Sequence, residues 1–356
     1  MKKIFKVLLC VLLAALFAVA GYVGYVLISY HRIGNQILDV EGKKGGAAAV
    51  GESYRVVSWN IGFGAYEADY GFFMDGGTQS WAWSKTRLDT NLAAIAARLG
   101  AETPDFCLVQ EVDIDATRSY HTDERVPLRM ALTGENYASV FAQNYDSPFL
   151  MYPILQPHGA SKSGLITFSA HGMTSAIRHE LPVETGLSKF LDLDRCYSVS
   201  RIPVAGGGEL VLYNLHLSAY TSDGTIATEQ LKRLLDDMRR EYEAGNWCVA
   251  GGDFNKDLLG DSSVYFTAAD TLYAWAQPIP EGTFDGTGIV LVAPLDEANP
   301  VPSCRNADGP YNERQYVLTV DGFLASQNVA VQESRVIDTG FAYSDHNPVE
   351  MTFSLR

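Results

Sequence analysis

Apolar positions along the chain recur with three different periods, and each period predicts a different kind of element. Val7 to Tyr30 is uncharged and rich in Leu, Val and Ala, with Lys2, Lys3 and Lys6 before it and His31-Arg32 after it. A run of that length crosses a bilayer, which takes about 20 apolar residues. Helical spacing occurs in Ser84 to Leu99, where Leu88, Leu92, Ile95 and Leu99 share a face and Gly100 follows. It recurs in Thr225 to Tyr242, with Ile226, Leu231, Leu234, Leu235, Met238 and Tyr242 apolar and Gly245 closing the stretch. A short third helix is predicted near Pro127 to Leu132. Strand patterns cover Tyr54 to Ile61, Phe106 to Glu111, Gly164 to Phe168, Cys196 to Val204 and Glu209 to Leu217. Further strands begin at Val249, span Val317 to Leu324, and close the chain from Val349 to Phe353. The opening order of strand, helix, strand is βαβ-like. Val112 to Ser163 otherwise reads as polar and aromatic loop, and the Pro- and Gly-rich Ala276 to Pro310 as loop covering a site.

These elements imply four segments: a basic flank (1–6), an apolar anchor (7–30), a linker (31–52) and one large domain (53–356). The positive flank predicts an N-terminus in the cytoplasm and a domain facing outward. Ala18-Val19-Ala20 before Gly21 keeps a cleaved signal peptide open as the alternative. Both readings export the domain. With 47% hydrophobic and 19% charged residues, the chain can fill a core. Residues 45–356 carry 21 basic against 40 acidic side chains, a net −19. That is a poor match to long nucleic acid, whose binding draws on counterion release. It suits a site that recruits divalent cations. The five cysteines show no metal-ligand spacing. Cys107 and Cys248 read as core residues, and export leaves a Cys196–Cys304 bridge open.

Candidate chemistry sits at the ends of the apolar strands: Asn60, Glu111, His216, Asp253, Asn255, Asp321, Asp345 and His346. Asp253 and Asn255 follow Gly251-Gly252, and an extended backbone there would send both side chains the same way. The two glycines would leave room for a substrate to approach. A carboxylate beside a carboxamide suits phosphoester chemistry, one handling the proton of a water and the other donating N–H to a phosphoryl oxygen. Taken singly, each residue has a structural explanation, such as a turn cap at Asp345 or Asp321. Jointly they are costly at apolar strand ends unless they share ligands or partners.

The ordered motifs Ser58-Trp59-Asn60, Leu108-Val109-Gln110-Glu111-Val112, Tyr213-Asn214-Leu215-His216-Leu217, Gly252-Asp253-Phe254-Asn255, Thr319-Val320-Asp321-Gly322 and Ser344-Asp345-His346-Asn347-Pro348 resemble those of the endonuclease/exonuclease/phosphatase superfamily. The resemblance implies an α/β (α+β) four-layer sandwich of two packed mixed β-sheets flanked by helices, preceded by the membrane helix. It implies Mg²⁺ or Mn²⁺ held by Glu111 with Asn60 and Asp345, directly or through water. It casts Asp253 as activator of the attacking water or donor to the leaving group, and Asn255 as a phosphoryl-oxygen contact. His346 would touch the phosphate and move a proton, with Asp321 fixing its tautomer, and His216 would be a candidate general acid. The division of base and acid among Asp253, His216 and His346 stays open.

The loops match no branch of that superfamily. Arg118, Lys162 and Arg305 lie near the motifs and are candidates to bind a second anionic group. The aromatic run Tyr66 to Trp83, including Phe72, Phe73, Trp81 and Trp83, either contacts lipid, caps a pocket or anchors a loop. The expected activity is an extracytoplasmic, membrane-anchored, Mg²⁺-dependent hydrolysis of a lipid or small-molecule phosphodiester. The alternatives are a secreted nuclease and a catalytically idle surface binding module. No protein partner is predicted.

Overall fold

A computed structural model describes residues 2–42, 45–133, 137–184, 186, 193–219, 225–266, 269–271 and 273–356. Four α-helices are present among them: α1 (Lys2–Ser29), α2 (Lys85–Glu102), α3 (Arg125–Thr133) and α4 (Thr225–Glu243). One seven-stranded sheet contains β1 (Gln36–Leu38), β7 (Ser175–Glu180), β8 (Cys196–Pro203), β9 (Glu209–His216), β10 (Trp247–Asp253), β14 (Asp321–Ser326) and β11 (Ile289–Val292), in that spatial order. The other runs β15 (Val329–Val336), β16 (Val349–Leu355), β3 (Ser53–Asn60), β4 (Phe106–Ala116), β6 (Gly159–Ser169), β5 (Ala138–Leu150) and β2 (Glu41–Gly42). Both sheets are mixed, β9 with β10 and β3 with β4 being the parallel pairs.

Alternation along the strands builds the layers. Tyr54 and Val56 of β3 and Leu210 and Leu212 of β9 meet in the core between the sheets. Val57 and Trp59 turn the other way onto α2, whose Leu88, Leu92, Ile95 and Leu99 are buried as the spacing predicts. Val211, Tyr213 and Leu215 likewise turn onto α4, through Leu231, Leu234, Leu235 and Met238. The result is helix, sheet, sheet, helix. The Ser84 hydroxyl accepts from the Arg87 N–H at 3.2 Å and starts α2. The long apolar α1 is left outside the core and is long and apolar enough to cross a membrane.

Several expectations are corrected. Residues 31–52 do not form a separate linker: β1 pairs with β7, β2 with β5, and the buried Ala48 bonds to Pro203. Lys43 and Lys44 of that segment lie outside the described residues. The region expected as loop from Val112 holds the end of β4 and the 13-residue β5. Bulges at Gln143/Tyr145 and Ser147/Leu150 disrupt its alternation and hide it from a pattern search. The Val317–Leu324 strand is broken, with Val317–Leu318 pairing to Cys304–Arg305 before β14 begins at Asp321. Gly251 and Gly252 serve packing and not substrate approach: an added Cβ would stand 2.8 Å from the Leu108 side chain at Gly251, and 2.0 Å from the Leu215 carbonyl oxygen at Gly252. Cys196 and Cys304 are free thiols buried in separate clusters, so no bridge joins them.

Candidate functional site

Strand register assembles the site. In one sheet Asp253 pairs with His216 across the parallel β9–β10 ladder and with Asp321 across the antiparallel β10–β14 ladder. That register puts the three side chains in one row at the strand ends. The other sheet contributes Asn60 at the end of β3, opposite Gln110. Between the sheets Gln110 Nε2 donates to the Ser58 hydroxyl at 3.1 Å and to Asn214 Oδ1 at 2.8 Å. Asn214 Nδ2 donates on to the Ile166 carbonyl at 3.1 Å. These buried amide hydrogen bonds tie the sheets in one register directly under the site.

Glu111 follows Gln110 at a bulge, where the β4–β6 register shifts between Val109 and Val112, and its φ is 55°. A left-handed glutamate is strained, and the bulge re-aims its side chain out of the ladder. Asn60 Nδ2 then donates to Glu111 Oε1 at 3.2 Å and to Asp253 Oδ2 at 3.0 Å. His216 Nε2 lies 3.4 Å from Asp253 Oδ2 and 4.0 Å from Glu111 Oε1. The backbone turns after Asp253: Asn255 has φ 49°, and its N–H donates to Asp253 Oδ1 at 2.8 Å. Its amide donates to the Leu217 carbonyl at 2.8 Å, and the side chain still borders the same cavity as Asp253.

His346 sits on a loop pinned from three directions. Trp59 Nε1 donates to its carbonyl at 2.8 Å, the Ser344 hydroxyl donates to the Asn60 carbonyl at 2.8 Å, and the Arg305 N–H donates to the Asp345 carbonyl at 2.9 Å. Its Nδ1 is 2.8 Å from Asp321 Oδ2, which also accepts from the Ser303 hydroxyl at 2.7 Å. Its Nε2 is 3.8 Å from Asp253 Oδ2. Burial works against a charged imidazole here, and the Asp321 carboxylate overrides it, holding His346 well above the usual histidine range. His216 moves the opposite way, pushed well below that range by burial and by Arg195. Burial raises the Asp253 carboxyl to about 7 against the pull of His346. Asp345 also reaches about 7 through burial, with Glu111 adding to it. Two histidines pushed in opposite directions thus stand beside two carboxyls raised toward neutrality within one site, the arrangement acid–base chemistry uses.

Glu111, His216, Asp253, Asn255, Asp345 and His346 border one cavity of about 330 Å³, with Tyr66, Phe72, Tyr145 and His158 among its apolar and aromatic walls. Asn60 and Asp321 stand behind that wall and position the groups that reach it. Of the three candidate anion contacts, Lys162 does not border the cavity: it is exposed, on the β6 face opposite the buried Ser161 and Ser163. Arg118 reaches the cavity but is held by Asp113 through bonds of 3.1 and 2.9 Å and stacks 3.9 Å from the Phe63 ring. Arg305 borders the cavity with its guanidinium donating to the Glu67 and Gly309 carbonyls, each at 3.1 Å. Sequence reading missed Arg195, buried on the cavity wall with Nε and Nη1 unpartnered among the described residues. It missed Ser303 as well. Neither carries a motif, and only the fold brings them to the site. In the aromatic run Tyr66, Tyr70 and Phe72 are buried anchors, while Trp83 is exposed.

A divalent cation fits this donor set. Asp253, Asp321 and His346 offer ligand atoms all within 4.8 Å of one another. Asp321 and His346 already bond to each other, so their capacity is largely spent. The better-suited donors are the carboxylates facing the cavity. Asp345 is half-buried on the cavity wall, with the Ser344 hydroxyl, at 3.3 Å, as sole donor to its carboxylate among the described residues. Crowded, under-donated carboxylate oxygens are the environment a hard oxygen-seeking cation compensates.

The chain matches the family model described as Endonuclease/Exonuclease/phosphatase family over residues 57–346. No curated protein is detectably similar in sequence. Among solved structures, an endonuclease/exonuclease/phosphatase from Beutenbergia cavernae is 21% identical, with TM-score 0.55, over 85% of this chain and 72% of that one. The human Nocturnin catalytic domain with bound sulfate is 18% identical, with TM-score 0.53, over 90% and 98%. ANGEL2, a 2′,3′-cyclic phosphatase solved with adenosine-2′,3′-vanadate, is 15% identical, with TM-score 0.56, over 89% and 98%. The two packed mixed sheets, the strand-end residues they converge and the match across both place this chain in the endonuclease/exonuclease/phosphatase family of phosphoesterases and nucleases.

Proposed function

We propose that the protein is an extracytoplasmic, membrane-anchored phosphodiesterase that hydrolyses a lipid or small-molecule phosphodiester by direct attack of water on phosphorus. The observation that carries this reading is the convergence of Glu111, His216, Asp253, Asp345 and His346 on one cavity, with His346 locked by Asp321. Glu111 and Asp345 would hold Mg²⁺ or Mn²⁺, with Asn60 orienting Glu111. A bound cation would polarise the phosphoryl group and offset the charge that develops on it. Asp253, poised near neutrality, takes a proton from the attacking water or guides it. His346, kept cationic by Asp321, donates to a non-bridging oxygen. Buried and neutral, His216 faces the same carboxylate and relays the proton toward the leaving oxygen. Asn255 has one amide proton committed to Leu217 and a second to present to the phosphoryl group. Arg195 would take another anionic oxygen through its Nε and Nη1, which have no partner among the described residues. No covalent intermediate is needed for in-line displacement.

The test is turnover by the full chain of chromogenic phosphodiester, phospholipid, sphingomyelin, RNA and DNA, with Mg²⁺ or EDTA and with Asp253→Asn as control. Metal-dependent hydrolysis of a small or lipid diester that vanishes in the variant supports the reading. Preference for RNA or DNA, with steep salt sensitivity, would replace it by a nuclease.

A further inference from the structure

The hairpin joining β5 to β6 carries a row of apolar side chains that the fold leaves open. Phe149, Met151, Tyr152, Ile154 and Leu155 are all exposed, the last three by 69%, 82% and 100%. No charged residue occurs between Asp146 and His158. Both legs of the hairpin belong to the candidate site: Asn144 and Tyr145 line the cavity on the way out, His158 and Ser163 on the way back. The return leg is fastened where Trp81 Nε1 donates to the Pro157 carbonyl at 2.7 Å, and the Tyr152 ring packs 5.7 Å from Phe73. An exposed apolar tip therefore projects beside the cavity walls.

The same hairpin meets α1. The Tyr22 hydroxyl donates to the Phe149 carbonyl at 3.3 Å and accepts from the Met151 N–H at 3.0 Å, and the Tyr25 hydroxyl accepts from the Phe149 N–H at 2.9 Å. Past Ser29 the chain is bolted down. His31 Nε2 lies 3.4 Å from Asp146 Oδ2 on β5 itself, Arg32 Nε lies 3.2 Å from Asp194 Oδ1, and Arg178 Nη1 donates to the Ile33 and Gly34 carbonyls at 2.6 and 2.8 Å. The helix thus enters the domain in a fixed pose. With Lys6 at the inner boundary, about 20 residues rising ~1.5 Å each cross the ~30 Å of hydrocarbon and reach the outer boundary near Val26. Tyr22 and Tyr25 then lie within about one turn of it, where tyrosines collect.

We infer that the β5–β6 hairpin is a second membrane contact, inserted in the outer leaflet beside α1, and that it holds the cavity at the headgroup layer. The substrate is accordingly a phosphodiester of a membrane lipid. An uncharged, proline-flanked tip suits a bilayer, which needs no directional partner, better than it suits a protein surface. The contact rests on α1 as an uncleaved anchor, and the substrate class rests on the hydrolase reading above.

The test uses the full chain in phosphatidylcholine vesicles, with Cys10→Ser and a Leu155→Cys position carrying an environment-sensitive fluorophore. Brominated lipids should quench this probe at least about threefold more than one at Glu333→Cys on β15, at the far end of the sheet from β5. Equal quenching at the two positions overturns the contact. So does protection of Leu155 that depends on protein density, which indicates a second copy of the chain. The exposed pair Ile154→Asp/Leu155→Asp should lower hydrolysis of vesicle lipid at least tenfold and leave a dissolved chromogenic diester unchanged. Equal effects on both substrates overturn the lipid assignment. Absence of turnover by the unaltered chain removes the hydrolase reading and its substrate class, while the quenching result still decides the contact.

Discussion

Asp321→Asn isolates the contact that sets the charge of His346. The substitution keeps the side chain's shape and removes its charge, at an atom 2.8 Å from His346 Nδ1 and 2.7 Å from the Ser303 hydroxyl. Hydrogen bonds to charged groups contribute about 1.5–3 kcal/mol, and one pKa unit is about 1.4 kcal/mol, so His346 should fall by about one to two units. In the native protein it is held well above the usual range, with burial opposing the charge and Asp321 restoring it. The sign follows. A raised folded pKa keeps the imidazolium populated up to that value, and the rate that depends on it is lost only as pH rises through it. Asp321→Asn should move the alkaline limb of kcat down by about one to two units, so that the loss of rate is largest on the alkaline side, where the native imidazolium is still populated and the variant's is not. The assay is a pH–rate profile on a dissolved chromogenic phosphodiester, with the thermal midpoint measured alongside to confirm the fold. A wild-type rate with an unmoved alkaline limb would refute the claim that Asp321 governs His346.

Glu111→Ala should depress activity severely, with partial recovery at millimolar Mn²⁺; full activity at ordinary Mg²⁺ would remove Glu111 from the ligand set. Arg195→Ala should lower kcat/KM by about 10–150-fold, the worth of a hydrogen bond from a charged group, as steady-state kinetics would show. Lys162→Ala, on the solvent face of β6, should leave kcat/KM within about twofold and stability within about 0.5 kcal/mol. Gly252→Ala puts a Cβ 2.0 Å from the Leu215 carbonyl oxygen and should cost about 1–3 kcal/mol in urea unfolding.

What could be read directly from the chain was whatever follows a local period or closes an apolar strand. The α2 and α4 faces repeat every three to four residues, and Glu111, His216 and Asp253 interrupt apolar runs where burial makes an acid or histidine conspicuous. What escaped depends on partners distant in sequence. Arg195 and Ser303 reach the site only because β8 and the loop before β12 (Cys304–Arg305) are folded against it. β5 was obscured by its bulges, and residues 31–52 by edge strands of three and two residues, too short to show a period. The glycines before Asp253 were misread because the Leu108 and Leu215 atoms that exclude a Cβ come from other strands.

The most direct measurement is hydrolysis of a phosphodiester by the full chain in ¹⁸O-labelled water, with Mg²⁺ or EDTA, for the native protein and His346→Ala. The account predicts metal-dependent turnover with one ¹⁸O in the phosphoryl product from the first turnover onward, slowed at least about 100-fold in the folded variant. Label in the alcohol instead of the phosphoryl product, or turnover indifferent to both EDTA and His346, would contradict it.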